Sequence, residues 1–165
     1  MHRGKWVFDT VVLSNFLLSE SLPPLEQRYK GKGLITSDVY GELATGFTSY
    51  PQLEQVDRLL DGGVFELTTL TQIELKIYRQ LITHLGRGEA SSIAVAVQRQ
   101  GIMVSDDRAA KNQCMRMETP VTGTIGILKA SVMEGALSCT DADTILRKMV
   151  EMGFYSPVMS ISDIT

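Results

Sequence analysis

Three aspartates in this 165-residue sequence directly follow short apolar segments. Asp9 comes after Trp6-Val7-Phe8, and Asp106-Asp107 come just after Ile102-Met103-Val104. Both segments are rich in aromatic, β-branched or large apolar residues, which is typical of buried strands. A carboxylate costs several kcal/mol to bury unless it is paired or binds a cation. Acids at the ends of buried strands are therefore candidates for a metal-binding site.

Two glutamates belong to the same pattern, but they lie on predicted helices. Glu42 is three residues after Val39 on one helix, and Glu89 is in the first turn of a helix that continues through Ala90-Val97. Each acid also has an ordinary interpretation taken alone. The aspartates are good N-cap residues, Glu89 suits a helix N-terminus, and Glu42 fits a solvated helix face. Taken together, however, the acids follow a fixed order along the chain: one at a strand end, one on a helix, one at a helix start and a pair at a strand end. That order favours a metal-binding role over the ordinary interpretations.

The elements that would position these acids follow from the hydrophobic pattern, which alternates short strands with helices. Strands are predicted at 6–8, 34–35, 64–67, 102–104 and 119–121. Helices are predicted directly after Asp9, after Thr36 or Ser37, from Pro51, after a Thr71/Glu74 capping box, from about Glu89 to Gln100, from Asp106-Asp107, from Ile125 to Met133, and after a weaker Thr140/Asp143 box. Residues 21–33 contain Pro23-Pro24 and two glycines, and we expect a loop there. The alternation predicts an α/β sandwich with a mostly parallel sheet, at whose carboxyl edge the acids would gather.

Composition limits the class of protein. The chain is 44% hydrophobic and 21% charged, with a net charge of −3, which argues against disorder and against a strongly basic nucleic-acid scaffold. We expect one domain over residues 1–165, with a core at about 5–155 and a tail at 154–165. Cys114 and Cys139 have no metal-ligand spacing, and no apolar stretch approaches membrane-spanning length. A reduced cytoplasmic protein is the simplest expectation.

Several short motifs, taken in order, resemble those of one family. They are Val7-Phe8-Asp9-Thr10 with Leu13, Ile35-Thr36-Ser37 leading to Gly41-Glu42-Leu43, Gly88-Glu89-Ala90-Ser91-Ser92-Ile93-Ala94, Val104-Ser105-Asp106-Asp107-Arg108, and Thr122-Gly123-Thr124-Ile125-Gly126-Ile127-Leu128. The ordered set resembles PIN-domain nucleases, small metal-dependent RNases that include the VapC-type toxins. It is most similar to a PIN subgroup with Gly-Glu-Ala and Asp-Asp-Arg signatures. The resemblance implies a three-layer α/β/α PIN-like fold with a mostly parallel central sheet.

The resemblance also assigns roles to the acids. Asp9 and Asp107 are expected to be the principal ligands of Mg²⁺ or Mn²⁺, and the adjacent Asp106 could share that role. Glu89 would bind the metal directly or through water, and Glu42 would hold a metal-bound water or a second ion. Such a cation would relieve the mutual repulsion of clustered carboxylates. Two positions depart from the family pattern. Val11 stands where most members have a small polar residue, and Glu89 stands where most have aspartate.

The implied activity is metal-dependent endoribonuclease hydrolysis that leaves a 5′-phosphate and a 3′-hydroxyl. RNA would need nearby cations, and the candidates are Arg87, Arg108, Lys111, Arg116, Lys30 and Lys32, each of which could equally be a solvated surface charge. Thr10, Ser14 and Ser105 could bond phosphate or metal-bound water, although helix capping is the simpler role. By analogy, a homodimer and a small antitoxin protein are expected partners. Leu59-Leu60 and the methionines Met149, Met152 and Met159 could supply the surfaces.

Two other classes of protein stay open at this point. The departures at Val11 and Glu89 suit a catalytically inactive PIN-like module that binds RNA or protein. A receiver-type phosphoryl-transfer domain would also use an acidic pocket, but it would have its aspartate pair after an early strand. Here Asp106-Asp107 follow a late one.

Overall fold

The computed structural model describes residues 4–165, which form five strands and nine α-helices. The strands are β1 (Trp6–Phe8), β2 (Gly33–Thr36), β3 (Phe65–Thr68), β4 (Ile102–Val104) and β5 (Val121–Thr122). The helices are α1 (Thr10–Leu18), α2 (Pro23–Tyr29), α3 (Ser37–Thr45), α4 (Gln55–Asp61), α5 (Gln72–Leu81), α6 (Arg87–Gln98), α7 (Arg108–Arg116), α8 (Thr124–Met133) and α9 (Cys139–Glu151). Short 3₁₀ turns lie at Pro51–Glu54 and Ser162–Ile164.

All strands of the sheet are parallel, in the order β3-β2-β1-β4-β5. The chain adds β2 and β3 on one side of β1 and then crosses over to add β4 and β5 on the other side. The junction between β1 and β4 is therefore the switch point of the sheet, where ligands bind in open parallel sheets. Backbone pairing extends one residue past β1, because Asp9 N donates to the carbonyl of Val104, the last residue of β4, at 3.0 Å. The residues after β1 and β4 are thus held side by side.

Side chains that alternate along the strands build two cores. Phe8 and Val104 point to one face of the sheet and pack with α1–α4, α8 and α9. Val7 and Met103 point to the other face and pack with α5–α7. Strands covered on both faces have continuous apolar sequences, as observed in β1 and β4. The predicted three-layer α/β/α architecture with a parallel central sheet is confirmed.

The predicted loop over residues 21–33 is wrong in part, because it contains α2. Pro23 and Pro24 occupy the first positions of that helix, where a missing N–H costs no hydrogen bond and the fixed φ suits helical geometry. Leu25 and Tyr29 bury their side chains in the core. Tertiary burial thus stabilises a seven-residue helix that would be marginal by itself.

Two predicted capping boxes have different outcomes. The box before α5 is confirmed, since Thr71 Oγ1 accepts from Glu74 N at 3.3 Å and Glu74 Oε1 accepts from Thr71 N at 2.9 Å. The weaker box at Thr140 is wrong. Helix α9 starts earlier, because Ser138 Oγ accepts from Asp141 N at 3.0 Å and is the N-cap.

The predicted bounds of β1 and β4 are confirmed, whereas those of β2, β3 and β5 differ from the expected ones by one or two residues. The helix expected from Pro51 begins as a 3₁₀ turn. None of the helices formed by residues 4–165 has the length and apolar character needed to cross a bilayer.

Candidate active site

Asp9 and Asp107 each cap the helix that follows their strand, so the ordinary interpretation of both residues is correct. Asp9 Oδ1 accepts from Val12 N at 3.1 Å, and Asp107 Oδ2 accepts from Ala110 N at 2.9 Å. Capping occupies one oxygen of each carboxylate and fixes its orientation. The other oxygen of each group takes no part in the cap. The two roles are therefore compatible, because a helix cap can present its second oxygen to a metal.

Ser105 links the two aspartates. Its buried Oγ accepts from Asp107 N at 3.1 Å, and its interaction with the Asp9 carboxylate acts to lower the pKa of Asp9. Ser105 therefore lies against both acids.

Glu42 connects three helices at this edge of the sheet. Its Oε1 accepts from Gly88 N at 2.7 Å, and its Oε2 accepts from Thr10 Oγ1 at 2.8 Å. Gly88 N is an N-terminal amide of α6, whose N-cap Gly86 has no side chain to cap it. A Cβ atom at position 88 would lie 2.5 Å from Glu42 Oε1. The glycine of the Gly-Glu-Ala motif thus makes room for the Glu42 carboxylate.

Glu89 is half-buried in the first turn of α6, and it faces the other acids. Burial raises its pKa to about 7, and the charges of Asp107, Asp9 and Glu42 add to the rise, as does a hydrogen bond with Asp107. Asp9 behaves similarly. Burial raises its pKa to about 6 despite the bonds from Ser105 and Val12, and the neighbouring Asp106 and Asp107 raise it further. The structure therefore brings the predicted acids into one electrostatically coupled group.

Asp106 lies beside this group, but its oxygens are already used. Oδ1 accepts from Thr124 N at 2.8 Å, and Oδ2 accepts from Thr124 Oγ1 at 2.6 Å and Asn15 Nδ2 at 3.3 Å. Asn15 Nδ2 also bonds Thr124 Oγ1 at 3.0 Å. These contacts join α1 and α8 to the end of β4.

The donor set suits a hard divalent cation, because every candidate ligand atom is a carboxylate oxygen. Within residues 4–165, no group of three or more His, Cys, Asp or Glu side chains is arranged to hold a metal ion. Mg²⁺ binds through one or two carboxylates and keeps several waters, so it does not need three protein ligands. Burial, with the neighbouring carboxylates adding to it, raises the pKa values of Asp9 and Glu89, and a bound cation would favour the charged form of both.

The six predicted cations divide between two ends of the molecule. Arg87, Arg108 and Lys111 lie in the first turns of α6 and α7, at the acidic edge. Arg116 ends α7, roughly 12 Å along the helix from Arg108 at 1.5 Å per residue. Lys30 and Lys32 precede β2, which places them at the amino edge of the parallel sheet, opposite the acids. Arg116, Lys30 and Lys32 therefore lie away from the acids, and the suggestion that they bind phosphate at the acidic site is wrong.

The predicted roles of the hydroxyl side chains are partly revised. Thr10 donates to Glu42, and Ser14 Oγ donates back to Thr10 O at 2.8 Å within α1. Asn15 and Thr124 were absent from the predicted site, although they position Asp106. The sequence alone could have pointed to Asn15, because an amide side chain is unfavourable within a mostly apolar helix unless it has a specific partner.

A family model described as a PIN domain matches residues 5–165. The chain belongs to the PIN-domain family, whose members are generally nucleases and typically use divalent metals. Comparison with curated proteins gives no significant match.

Proposed function

We propose that this protein is a Mg²⁺- or Mn²⁺-dependent endoribonuclease. The observation that carries the proposal is the coupled acidic group at the β1–β4 switch point, in a chain of the PIN-domain family. Asp9 and Asp107 would hold the metal, since capping occupies only one oxygen of each carboxylate. Ser105 Oγ accepts from Asp107 N, and Gly88 N and Thr10 Oγ1 donate to the Glu42 carboxylate beside the same site.

A divalent cation bound here lowers the pKa of an attacking water and offsets charge on the leaving oxygen of the phosphodiester. The chain's residues supply the geometry for this chemistry. Burial and the neighbouring carboxylates raise the pKa of Glu89 to about 7, so its charge depends strongly on what binds nearby. Arg87, Arg108 and Lys111 offer phosphate contacts from the adjacent helix starts.

The test is cleavage of labelled single-stranded RNA, with a DNA strand of the same sequence as the comparison. Wild-type protein is expected to cleave RNA with Mg²⁺ or Mn²⁺ and to lose activity with EDTA. Asp9→Asn keeps the helix cap but removes a metal ligand. We expect it to lower the rate roughly a thousandfold, since metal catalysis contributes several kcal/mol. Cleavage of equal rate in Asp9→Asn would refute the proposal, and preference for DNA would refute the choice of substrate.

An inactive PIN-like binding module is the second candidate. Two observations favour it. No group of three or more His, Cys, Asp or Glu side chains among residues 4–165 is arranged to hold a metal ion, and Val11, 54% exposed, stands where the family usually has a small polar residue. RNA binding without metal-dependent cleavage by the purified protein would support this module over the nuclease.

A toxin role with an antitoxin partner, a homodimer and a cytoplasmic location complete the proposal by analogy with VapC-type toxins. Two suggested dimer surfaces need correction. Leu59 and Met149 are buried in the core, so they cannot contribute to an interface, whereas Met152 and Met159 are exposed. Light scattering over a range of protein concentrations tests the dimer, and a monomer throughout would refute it.

A further inference from the structure

A second cavity opens beside the acidic group, and we call it the tail cavity. Its volume is about 590 Å³. Its walls come from the start of α7, the start of α8 and the C-terminal tail: Asp106, Arg108, Lys111, Gly123, Ile125, Gly126, Phe154, Tyr155 and Pro157. Two cations, two aromatic side chains and further apolar side chains thus line one space. Asp106 belongs to this wall and directly precedes Asp107, so the cavity borders the proposed catalytic site.

The two cations of the tail cavity are available to a ligand. Arg108 and Lys111 are one turn apart on α7, and neither forms an ion pair within residues 4–165. The acidic residue in the wall is Asp106, and both of its oxygens already accept hydrogen bonds from Thr124. The positive charges therefore lack an internal partner, and phosphate is the natural ligand for such a pair.

The aromatic ring of Tyr155 is 92% exposed, but its backbone is held on both sides. Phe154 N donates to Met149 O at 2.9 Å, and Phe154 packs against the core. Farther along, Ile161 is buried and its N–H donates to Asp143 Oδ1 at 2.6 Å. The ring therefore projects from an anchored segment that lines the same cavity as Arg108 and Lys111.

We propose that the tail cavity binds one unpaired nucleotide next to the scissile phosphate, with its phosphate on Arg108 and Lys111 and its base stacked on Tyr155. This inference rests on the proposed nuclease function and adds a nucleotide subsite beside the proposed catalytic acids. A base can stack on a protein ring only when it is released from its own helix, so the cavity selects unpaired over duplex substrate.

The test is equilibrium binding of a short, fluorescein-labelled single-stranded RNA, measured by anisotropy with Mg²⁺ in the cleavage-impaired Asp9→Asn background. Tyr155→Ala is expected to raise Kd about tenfold, which is within the range for loss of one base–aromatic stack. Tyr155→Phe keeps the ring and should bind as Asp9→Asn alone does. Tyr50→Ala removes another exposed tyrosine, one outside the cavity, and should have no effect.

The cations are tested by the salt dependence of the same binding. Arg108→Ala and Lys111→Ala should each reduce the slope of log Kd against log salt by about 0.7, the value for one phosphate contact on a single strand. Arg116→Ala, at the far end of the same helix, is the matched control and should leave the slope unchanged.

Several outcomes would overturn the subsite. These are unchanged Kd in Tyr155→Ala, equal losses in Tyr155→Phe and Tyr155→Ala, or a duplex that binds as tightly as the single strand with the same dependence on Tyr155. The subsite and the nuclease can fail separately. RNA cleavage by wild-type protein with no effect of Tyr155→Ala on Kd refutes the subsite alone. Tyr155-dependent binding with no metal-dependent cleavage by wild-type protein supports the subsite and refutes the nuclease.

Discussion

Two carboxylates of this protein are almost fully buried, and their surroundings are opposite. Glu74, 1% exposed, receives two bonds from Arg99: Nε to Oε2 at 2.8 Å and Nη2 to Oε1 at 2.9 Å. Asp9, 2% exposed, has no basic partner within residues 4–165, and its charged neighbours are Asp106 and Asp107. One buried acid is paired by the protein, and the other is surrounded by like charge.

The pKa values of the two groups reflect this difference. Burial acts to raise the pKa of Glu74, but the bonds from Arg99 and Thr71 outweigh it and hold the pKa below its usual value. For Asp9, burial dominates and raises the pKa to about 6. The comparison separates a structural acid from a functional one. A buried carboxylate with its own cation stabilises the fold, whereas one without a cation is suited to bind one from solution.

Arg99→Ala should cause the largest loss of stability, because it leaves Glu74 buried without its partner. We expect the free energy of unfolding to fall by about 3 kcal/mol. This value is at the lower end of the range for breaking a buried ion pair, because Arg99 is partly exposed. Denaturation in urea, followed by circular dichroism, measures the change.

Arg79→Ala is the matched control, because Arg79 is exposed on the same helix as Glu74 and has no ion pair within residues 4–165. It should change the unfolding free energy by less than about 0.5 kcal/mol. Equal effects of the two variants would contradict a structural role for the Glu74–Arg99 pair.

The two acids should also give pH dependences of opposite sign. The lowered pKa of Glu74 contributes stability above its unfolded value, and this is lost as the pH falls through its folded pKa. The raised pKa of Asp9 means that the folded state binds the extra proton. The metal-free protein should therefore lose about 2–3 kcal/mol as the pH rises from about 4 to above 6. Glu89 adds to this loss up to about pH 7.

Urea denaturation across this pH range, with EDTA and then with Mg²⁺, measures the effect. Asp9→Asn should remove the Asp9 part of the decline, and Mg²⁺ should stabilise the wild type more at neutral than at acidic pH. A stability that does not depend on pH between about 4 and 7 without metal would contradict strong coupling among the acids.

Gly88→Ala should have the smallest effect, and it should act on activity rather than on folding. The added Cβ would lie 2.5 Å from Glu42 Oε1 and push that carboxylate away from Gly88 N. We expect a roughly tenfold loss of cleavage rate, typical of disturbing a group that orients metal ligands.

Gly41→Ala is the control for this variant. Gly41 lies within helix α3, and a Cβ at this position would meet no atom within 4 Å. It should leave the rate unchanged and stabilise the protein by up to about 1 kcal/mol. Equal rates for the two variants would show that Glu42 does not depend on this contact.

Much of the fold could be predicted from the sequence, because the local hydrophobic and capping patterns agree with the way the elements pack. The segments at β1 and β4 are apolar on both faces, and the Thr71/Glu74 box marks the start of α5. Helix α2 could not be predicted, because its prolines are typical of loops and its stability depends on burying Leu25 and Tyr29 in a core formed by distant segments. Local patterns do not contain that information.

The candidate site could likewise be predicted only in part. The positions of Asp9 and Asp107 follow from strand ends in a parallel sheet. The contacts of Glu42 with Gly88 and of Asp106 with Thr124 join residues 46 and 18 positions apart, so spacing alone could not indicate them. Lys30 and Lys32 were predicted near the acids from their residue type and their glycine-containing loop. They precede β2, so the direction of that strand places them at the amino edge of the sheet, opposite the acids.

The pairing of β1 with β4 has a mechanical consequence. Asp9 follows β1, Asp107 lies just beyond β4, and Asp9 N donates to Val104 O, so the stiffness of the paired strands constrains the distance between the two acids. In the proposed nuclease, the acids would therefore stay fixed while RNA of different sequences binds. Adjustment to different bases would then occur at the tail cavity, where an exposed ring and two long basic side chains lie beyond Asp106.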